Sequence, residues 1–339
     1  MISLRKEIQS SIYLNPFNAF EPQEGKVEIR WDPLTDLTSR LIHFPARKLE
    51  KFDVESAISL SLSAKCPFCE ENAATMTARL DATVFGSEHL QFEEVRVIPN
   101  LLTFDKYSLV AIISREHYLD LRGLANKGSI KKGIKALLDA FQLIRQRDSR
   151  VQYFSLNCNY MPMSGGSLIH PHIQGLAGEY PTNFHRIMLE NCTTFYRKNK
   201  KVFWEVYMEK EKNLKERYIG EAGSTIWYTP YAPKGNIDIG CVFHQPGLFS
   251  IKDHEWNDFS VGLNKVLQYL DNENVGGFNL TIFPGSDEDG VFRTNARIVA
   301  RRFLPPVNAA DVNYFEKIHM ESACLVFPEK VAGELREIW

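Results

Sequence analysis

The sequence predicts a duplicated α+β fold in which one copy alone carries the groups for chemistry, and three observations lead there. The chain has 339 residues with 44% hydrophobic content, enough for two domains or one large duplicated one. The order strand, strand, helix, strand, loop, strand can be read along it twice. The last strand of the first copy carries His170 and His172, whereas the comparable segment of the second, Ala296-Arg297-Ile298-Val299-Ala300-Arg301-Arg302-Phe303, has no histidine.

In the first copy, Val95-Arg96-Val97-Ile98, Ser108-Leu109-Val110-Ala111-Ile112-Ile113 and Tyr153-Phe154-Ser155-Leu156-Asn157 read as strands bounded by turn residues. Between the last two, Ile130, Ile134, Leu137, Leu138, Phe141 and Ile144 recur at helical spacing, which predicts an amphipathic helix over 128–149. Residues 183–216 read as mostly helical and heavily charged, a connector whose charges form a solvated face. The second copy follows with Thr225-Ile226-Trp227-Tyr228-Thr229, Ile237-Asp238-Ile239-Gly240-Cys241-Val242-Phe243 and Phe278-Asn279-Leu280-Thr281-Ile282-Phe283 as strands. A helix around 254–270, built on Trp256, Phe259, Leu263, Val266, Leu267 and Leu270, precedes the third of these. The halves divide at residues 1–200 and 201–339. The competing reading is chance recurrence of a common strand–helix order.

Composition narrows the function classes. The formal net charge is −2, with no long basic run or stripe, so nucleic acid is not an expected partner. Met1-Ile2-Ser3-Leu4-Arg5-Lys6 has no apolar signal core, and no stretch approaches a membrane span, so the expectation is a cytoplasmic protein without membrane contact. Disulfides are a poor default for such a chain. Of the six cysteines, Cys158, Cys241 and Cys324 sit in apolar settings and read as small buried hydrophobes, and Cys192 has no obvious partner. Cys66 and Cys69 alone have the spacing of a metal knuckle.

The most informative segment is His170-Pro171-His172-Ile173-Gln174. If extended, it puts His170, His172 and Gln174 on one face, because strand side chains repeat every second residue. The loop Met163-Ser164-Gly165-Gly166-Ser167 runs straight into it. Gly165 and Gly166 allow close backbone approach with N–H groups turned toward an anion, and Ser167 adds a hydroxyl. Asn159 opens the loop and could hydrogen-bond the same anion or His172. Taken alone, Gly-Gly-Ser is equally an ordinary turn.

A neutral imidazole at His172 can attack phosphorus and form a phosphoramidate, splitting one displacement into two. One ring nitrogen must then present its lone pair while the other donates to an orienting acceptor. Gln174 can donate its amide to a phosphoryl oxygen or a leaving-group oxygen. Being neutral, it does not activate water, which favours transfer to a phosphate acceptor over hydrolysis. Cys66 and Cys69 supply two thiolates, and tetrahedral zinc wants two more ligands, for which His170 and His117 are candidates. A Cys2His2 set leaves no open position, so such a zinc is structural. The alternative is a pair of unligated or redox-active thiols.

Together these residues resemble the galactose-1-phosphate uridylyltransferase branch of the histidine-triad superfamily, whose members carry His-Pro-His-x-Gln. Asp32-Pro33-Leu34-Thr35 and Phe44-Pro45-Ala46-Arg47 resemble its early Asn-Pro-Leu-Thr and Ser-Pro-His-Arg segments. Cys66-Pro67-Phe68-Cys69 resembles its zinc knuckle, Val97-Ile98-Pro99-Asn100 its base- and ribose-reaching stretch, and Ser114-Arg115-Glu116-His117 the site of its third zinc ligand. The resemblance implies a duplicated histidine-triad-like α+β fold, each half an antiparallel sheet plus helix, with the first half catalytic and zinc-binding and the second degenerate. It implies His172 as nucleophile and Cys66, Cys69, His117 and His170 around a structural Zn2+. Gln174, Ser167, Gly165, Gly166, Asn159, Asn100 and Arg47 are then expected around nucleotide and phosphates, and Glu321 at the sugar. Before Pro305-Pro306, Ala300-Arg301-Arg302-Phe303-Leu304 replaces the family's His-x-His pair, so a second, iron-type site is not expected. A homodimer is expected by the same resemblance.

The implied activity is exchange of a nucleoside monophosphate between a nucleoside diphosphate sugar and a sugar 1-phosphate through a covalent His172–nucleotide. The alternatives are a phosphorylase of a nucleoside diphosphate sugar or dinucleoside polyphosphate, and a non-catalytic nucleotide-binding protein. A hydrolase fits less well, because Gln174 stands where histidine-triad hydrolases carry a third histidine.

Overall fold

Two apolar helical periodicities and a series of β-rich runs become one long sheet with helices laid across it. The computed structural model describes residues 2–45, 52–304 and 309–339. The chain opens with a hairpin of β1 (Lys6–Asn15) and β2 (Glu21–Trp31), then β3 (Thr38–Ile42) and short helices α1 (Val54–Ser63), α2 (Glu70–Met76) and α3 (Ala82–Phe85). The first copy of the repeat is β4 (Leu90–Phe92), β5 (Val95–Pro99), β6 (Tyr107–Ile112), α4 (Leu121–Lys127), α5 (Ser129–Arg147), β7 (Tyr153–Tyr160) and β8 (His172–Gly178). Helices α6 (Asn183–Asn199) and α7 (Phe203–Leu214) lead to the second copy. That copy is β9 (Tyr218–Ala222), β10 (Thr225–Tyr228), β11 (Asp238–Val242), α8 (Asp253–Asn272), β12 (Gly277–Phe283) and β13 (Asn295–Arg301). The chain closes with β14 (Phe303–Leu304), β15 (Ala309–Ala310), α9 (Tyr314–Lys317), β16 (Ser322–Cys324) and α10 (Pro328–Arg336).

The ten-stranded sheet runs β4-β5-β6-β8-β7-β12-β13-β11-β10-β9. Its left half, 4-5-6-8-7, is repeated on the right as 9-10-11-13-12, and the copies join where β7 pairs antiparallel with β12. All the ladders in this sheet are antiparallel, as expected for the α+β class. Backbone hydrogen bonds fix the correspondence: Ile113 N donates to Pro171 O at 3.1 Å, and Phe243 N to Thr294 O at 2.9 Å. His172 therefore matches Asn295, and Gln174 matches Arg297. A second sheet, β1-β2-β3-β16, joins the two ends of the chain.

Helices α5 and α8 share one face of the long sheet. Ile130, Ile134, Leu137, Phe141 and Ile144 of α5 are buried there, as are Trp256, Phe259, Leu263, Val266, Leu267 and Leu270 of α8, while Leu138 is only half-buried. The apolar positions read from periodicity thus face the core, as an amphipathic helix requires. The expectation for 183–216 needs correction. These helices are not merely a charged connector: Met188, Cys192, Phe203, Trp204, Tyr207 and Met208 are buried, packed with Tyr228 and Val242 on the opposite face of the second copy. Most of their charges do lie outward, with Glu211 of α7 the buried exception, but aromatic residues interleaved with them give each helix an apolar side. Among the described residues no helix is long and apolar enough to cross a membrane.

Gly133 lets α5 settle on the strands. A Cβ there would collide with Ile113 Cγ2 and lie 2.9 Å from Ile173 Cδ1. In an exposed helix Gly to Ala stabilises by roughly 1 kcal/mol. Here Gly133→Ala is expected to destabilise by about 1–3 kcal/mol, because two buried β-branched residues must move. Urea denaturation reads the sign, and a stabilised variant would refute this packing.

A buried ion network ties the smaller sheet to the second copy. Glu329 of α10 accepts from Arg30 of β2 and from Arg217, each at 2.7 Å, and Arg217 also pairs with Glu211 of α7 at 3.0 Å. Burial pushes the Glu329 carboxyl up, but the hydrogen bonds from Arg30 and Arg217 and the charge of Arg30 outweigh it and hold its pKa below the ordinary value. A depressed carboxylate contributes stability that is full above the unfolded value of roughly 4.3 and is lost as pH falls through the folded one. Glu329→Gln should therefore cost about 2 kcal/mol at neutral pH, since it leaves buried guanidinium groups short of charge. The gap to the wild type should close on acidification, as denaturation of both proteins at several pH values will show.

Candidate active site

Four metal-type donors converge where β6 ends and β8 begins. Cys69 caps the start of α2, and Cys66 precedes it in a turn whose Cys66 carbonyl accepts from Cys69 N at 3.3 Å and Asn72 Nδ2 at 3.0 Å. His117 comes from the loop after β6, and His170 lies two residues ahead of β8. The donor atoms of Cys66, Cys69, His117 and His170 all lie within 4.8 Å of one another. His117 Nδ1 is 3.3 Å from Cys69 Sγ, and His170 Nδ1 is 3.8 Å from Cys66 Sγ and 3.7 Å from Cys69 Sγ. A tetrahedron with Zn–S near 2.3 Å and Zn–N near 2.0 Å has S···N edges of about 3.5 Å, so the set fits a tetrahedral divalent cation.

The His170 ring is turned for ligation by its other nitrogen. Nε2 donates to the Ser114 carbonyl at 2.8 Å, which leaves the Nδ1 lone pair toward the thiols. Burial, with the neighbouring His117 and His172, pushes the His170 pKa down to about 4 against the pull of the Ser114 hydrogen bond. Burial first and then Cys66 push the Cys69 thiol up to about 11. A bound cation reverses such a preference in thiols, because it stabilises the thiolate outright.

His172 takes the opposite tautomer. Its Nδ1 is 2.7 Å from the His170 carbonyl, which can only accept, so Nδ1 carries the proton and Nε2 keeps a lone pair. Burial lowers its pKa below the ordinary imidazole value, outweighing that hydrogen bond, and so favours the neutral ring. Strand β8 begins at His172 and not at His170, so the anticipated single face holds for His172 and Gln174 while His170 belongs to the metal-type cluster. Opposite His172 and Gln174 on β6 stand Ile112 and Val110. With Ile98 of β5 and Phe68 of the knuckle they form a separate small apolar cluster. The Phe68 ring meets His172 edge-on with centroids 5.3 Å apart.

Of the remaining expected residues, Asn159 is joined to this face by a shared cavity, and the other described ones lie at separate places in the fold. Asn159, at the end of β7, lines one small cavity with His170 and His172. Gly165, at φ +86°, and Ser167 are exposed in the loop ahead of β8, and a Cβ on Gly166 would sit 3.0 Å from the Asn159 carbonyl. Asn100 follows Ile98 beyond the end of β5, its Oδ1 accepting from Leu102 N at 3.1 Å. Glu321 lies beside β16, paired with Arg40 Nε at 2.8 Å and accepting from Thr38 Oγ1 at 2.9 Å. Arg47 and the Pro305-Pro306 pair fall outside the described residues. Two participants went unrecognised in the sequence: the Ser114 carbonyl, which leaves no side-chain signal, and Phe68, quoted within the knuckle but given no role.

In the second copy the matching positions are occupied differently. Asn295 Nδ2 donates to the Arg293 carbonyl at 3.1 Å, repeating the backbone contact that orients His172. Arg297, in the place of Gln174, is buried and its Nε donates to Asp238 Oδ1 at 3.0 Å.

No family model matches the sequence. A protein of Archaeoglobus fulgidus, described as uncharacterized, is 32% identical over 321 residues, 94% of each chain. An ADP-glucose phosphorylase of Arabidopsis thaliana, solved with bound ADP-glucose, superposes with a TM-score of 0.70 at 20% identity, over 92% of this chain and 99% of that one. A GalT-like protein of the same plant gives 0.69 at 20% identity, over 92% and 98%. A uridylyltransferase gives 0.63 at 19% identity, over 91% and 97%.

Proposed function

The chain belongs to one family with the Archaeoglobus fulgidus protein and has the fold of the galactose-1-phosphate uridylyltransferase-like branch of the histidine-triad superfamily, and from that premise we propose that it is a nucleotidyltransferase. The observation that carries this reading is the tautomer of His172: Nδ1 is tied to the His170 carbonyl at 2.7 Å, so Nε2 is the free nucleophilic nitrogen. Nε2 attacks the α-phosphorus of a nucleoside diphosphate sugar. The N–P bond forms, the bridging P–O bond breaks, and the sugar 1-phosphate leaves with that electron pair. A phosphate oxygen of the acceptor then attacks the same phosphorus, and the N–P electrons return to Nε2. Gln174, on the same face, donates to a phosphoryl oxygen, and loop 163–167 receives the phosphates. Ile98, Val110, Ile112 and Phe68 give the nucleoside an apolar bed beside the nucleophile.

The test is intact-protein mass after incubation with UDP-, GDP- and ADP-sugars. The expected result is an increment of one nucleoside monophosphate with at least one donor, and a loss of about 10⁴-fold in turnover for His172→Asn. An adduct from none of the donors, or one that persists in His172→Asn, would sink the proposal. The likeness to an ADP-glucose phosphorylase favours a second acceptor, inorganic phosphate. Discharge of the adduct by phosphate or by sugar 1-phosphate decides between them. Tight nucleotide binding without any adduct would point to a binding protein.

Cys66, Cys69, His117 and His170 are the residues to hold Zn2+, which would brace the knuckle against the strand bearing His172. Its role there would be structural, because four protein ligands would leave no position for water. Elemental analysis should find about one zinc per chain, falling sharply in Cys66→Ser, with thermal stability dropping alongside. A metal-free protein of undiminished stability would refute the assignment.

A further inference from the structure

The second copy has lost its histidine, yet it reaches into the first through a chain of polar groups on the face of the sheet that bears His172. Asp311 binds Arg301 of β13 in a forked pair, with Nε–Oδ1 at 3.0 Å and Nη2–Oδ1 at 2.7 Å. Arg301 Nη1 donates to Asn279 Oδ1 of β12 at 2.8 Å. Asn279 Nδ2 donates to Asn159 Oδ1 at 2.7 Å and to the Ser164 carbonyl at 2.8 Å. Asn279 and Asn159 face each other directly across the β7–β12 junction.

The polarity of this chain runs one way. A carboxylate only accepts and a guanidinium only donates, so Asn279 must offer its oxygen to Arg301 and its nitrogen to Asn159. That occupies the Asn159 oxygen and leaves the Asn159 Nδ2 as the donor end of its amide. A donor is what a phosphate oxygen requires. The second hydrogen of the same Asn279 amide holds the loop at Ser164. That loop has strain to restrain: Met161 sits at φ +69° and ψ 160°, a backbone region open mainly to glycine. Its carbonyl is bonded by Ser164 N at 3.0 Å and Ser164 Oγ at 2.6 Å, so Asn279 holds a residue that is itself closing the turn.

We propose that Asn279, oriented by Arg301 and Asp311, is a positioning residue that sets Asn159 with its amide nitrogen toward the phosphate and fixes the loop leading to His172. The inference rests on the proposed nucleotidyl transfer. It assigns to the degenerate copy a part in aligning the substrate of the working one.

The experiment is a double-mutant cycle read as the limiting rate of His172–nucleotide formation at saturating donor. Asn279→Ala and Asn159→Ala should each slow the adduct by about 10- to 100-fold, as misplaced phosphate contacts do. The double variant should be no slower than Asn159→Ala alone, because one residue acts through the other. Asp311→Asn, at the outer end, keeps the shape and gives a second entry should Asn279→Ala fold poorly. Its smaller slowing should likewise vanish in the Asn159→Ala background. A merely structural role would give losses that multiply, and multiplied losses in both cycles overturn the inference while leaving the reaction intact. A wild type that forms no adduct overturns the reading of the reaction, and this inference with it.

Discussion

The molecule depends on the antiparallel pairing of β7 with β12. Each copy of the repeat supplies five strands, and without this ladder each would end in an unpaired central strand with its backbone donors and acceptors open. Pairing Phe278 through Ile282 with Tyr160 through Leu156 turns two half-sheets into one. It also brings α5 and α8 side by side on a single face, so that Phe154 and Phe249, from different copies, meet at 5.4 Å in one core. The same ladder fixes which polar groups of the second copy face the loop before β8.

Duplication gave two equivalent faces, and what covers each face separates their fates. On the second copy, α6 and α7 lay Met188, Phe203, Trp204, Tyr207 and Met208 over the strands. Arg297 there is buried, with Asp238 as its ion-pair partner, a pairing that serves stability of the site only because both charges are matched. On the first copy, among the described residues, the knuckle lays Phe68 over the equivalent strands beside Ile98, Val110 and Ile112. Asn295 keeps the hydrogen bond that orients His172, so the backbone device survives in both copies while the imidazole exists in one.

Much of this was readable from the chain, and the limits have physical causes. Periodicity located α5 and α8 because their buried positions recur at 3.6 residues, and β-branched and aromatic runs bounded by turn residues located β5, β6, β7 and β10–β12. The donor cluster was legible because Cys66 and Cys69 are close in sequence and His170 adjoins His172. What escaped was long-range or carried by the backbone. Asn279 is 120 residues from Asn159, and nothing local marks it. The Ser114 carbonyl sets a tautomer with no side chain to announce it. The apolar side of 183–216 was hidden by its charges, since Lys and Glu flank the aromatic residues that pack inward.

The two adjacent histidines show how little is needed to divide labour. His170 and His172 have the same side chain and are separated by one proline, yet each gives a different nitrogen to a backbone carbonyl. His170 spends Nε2 on Ser114 and turns Nδ1 to the cysteines, whereas His172 spends Nδ1 on His170 and keeps Nε2. The acceptor of the second bond is the carbonyl of the first histidine, so whatever fixes His170 also fixes the orientation of His172. A cation held by the four donors would therefore act on the proposed reaction only by geometry, through one peptide carbonyl, and would need no contact with a bound phosphate at all. That coupling would let a fully ligated site sit two residues from the proposed nucleophile without competing with it.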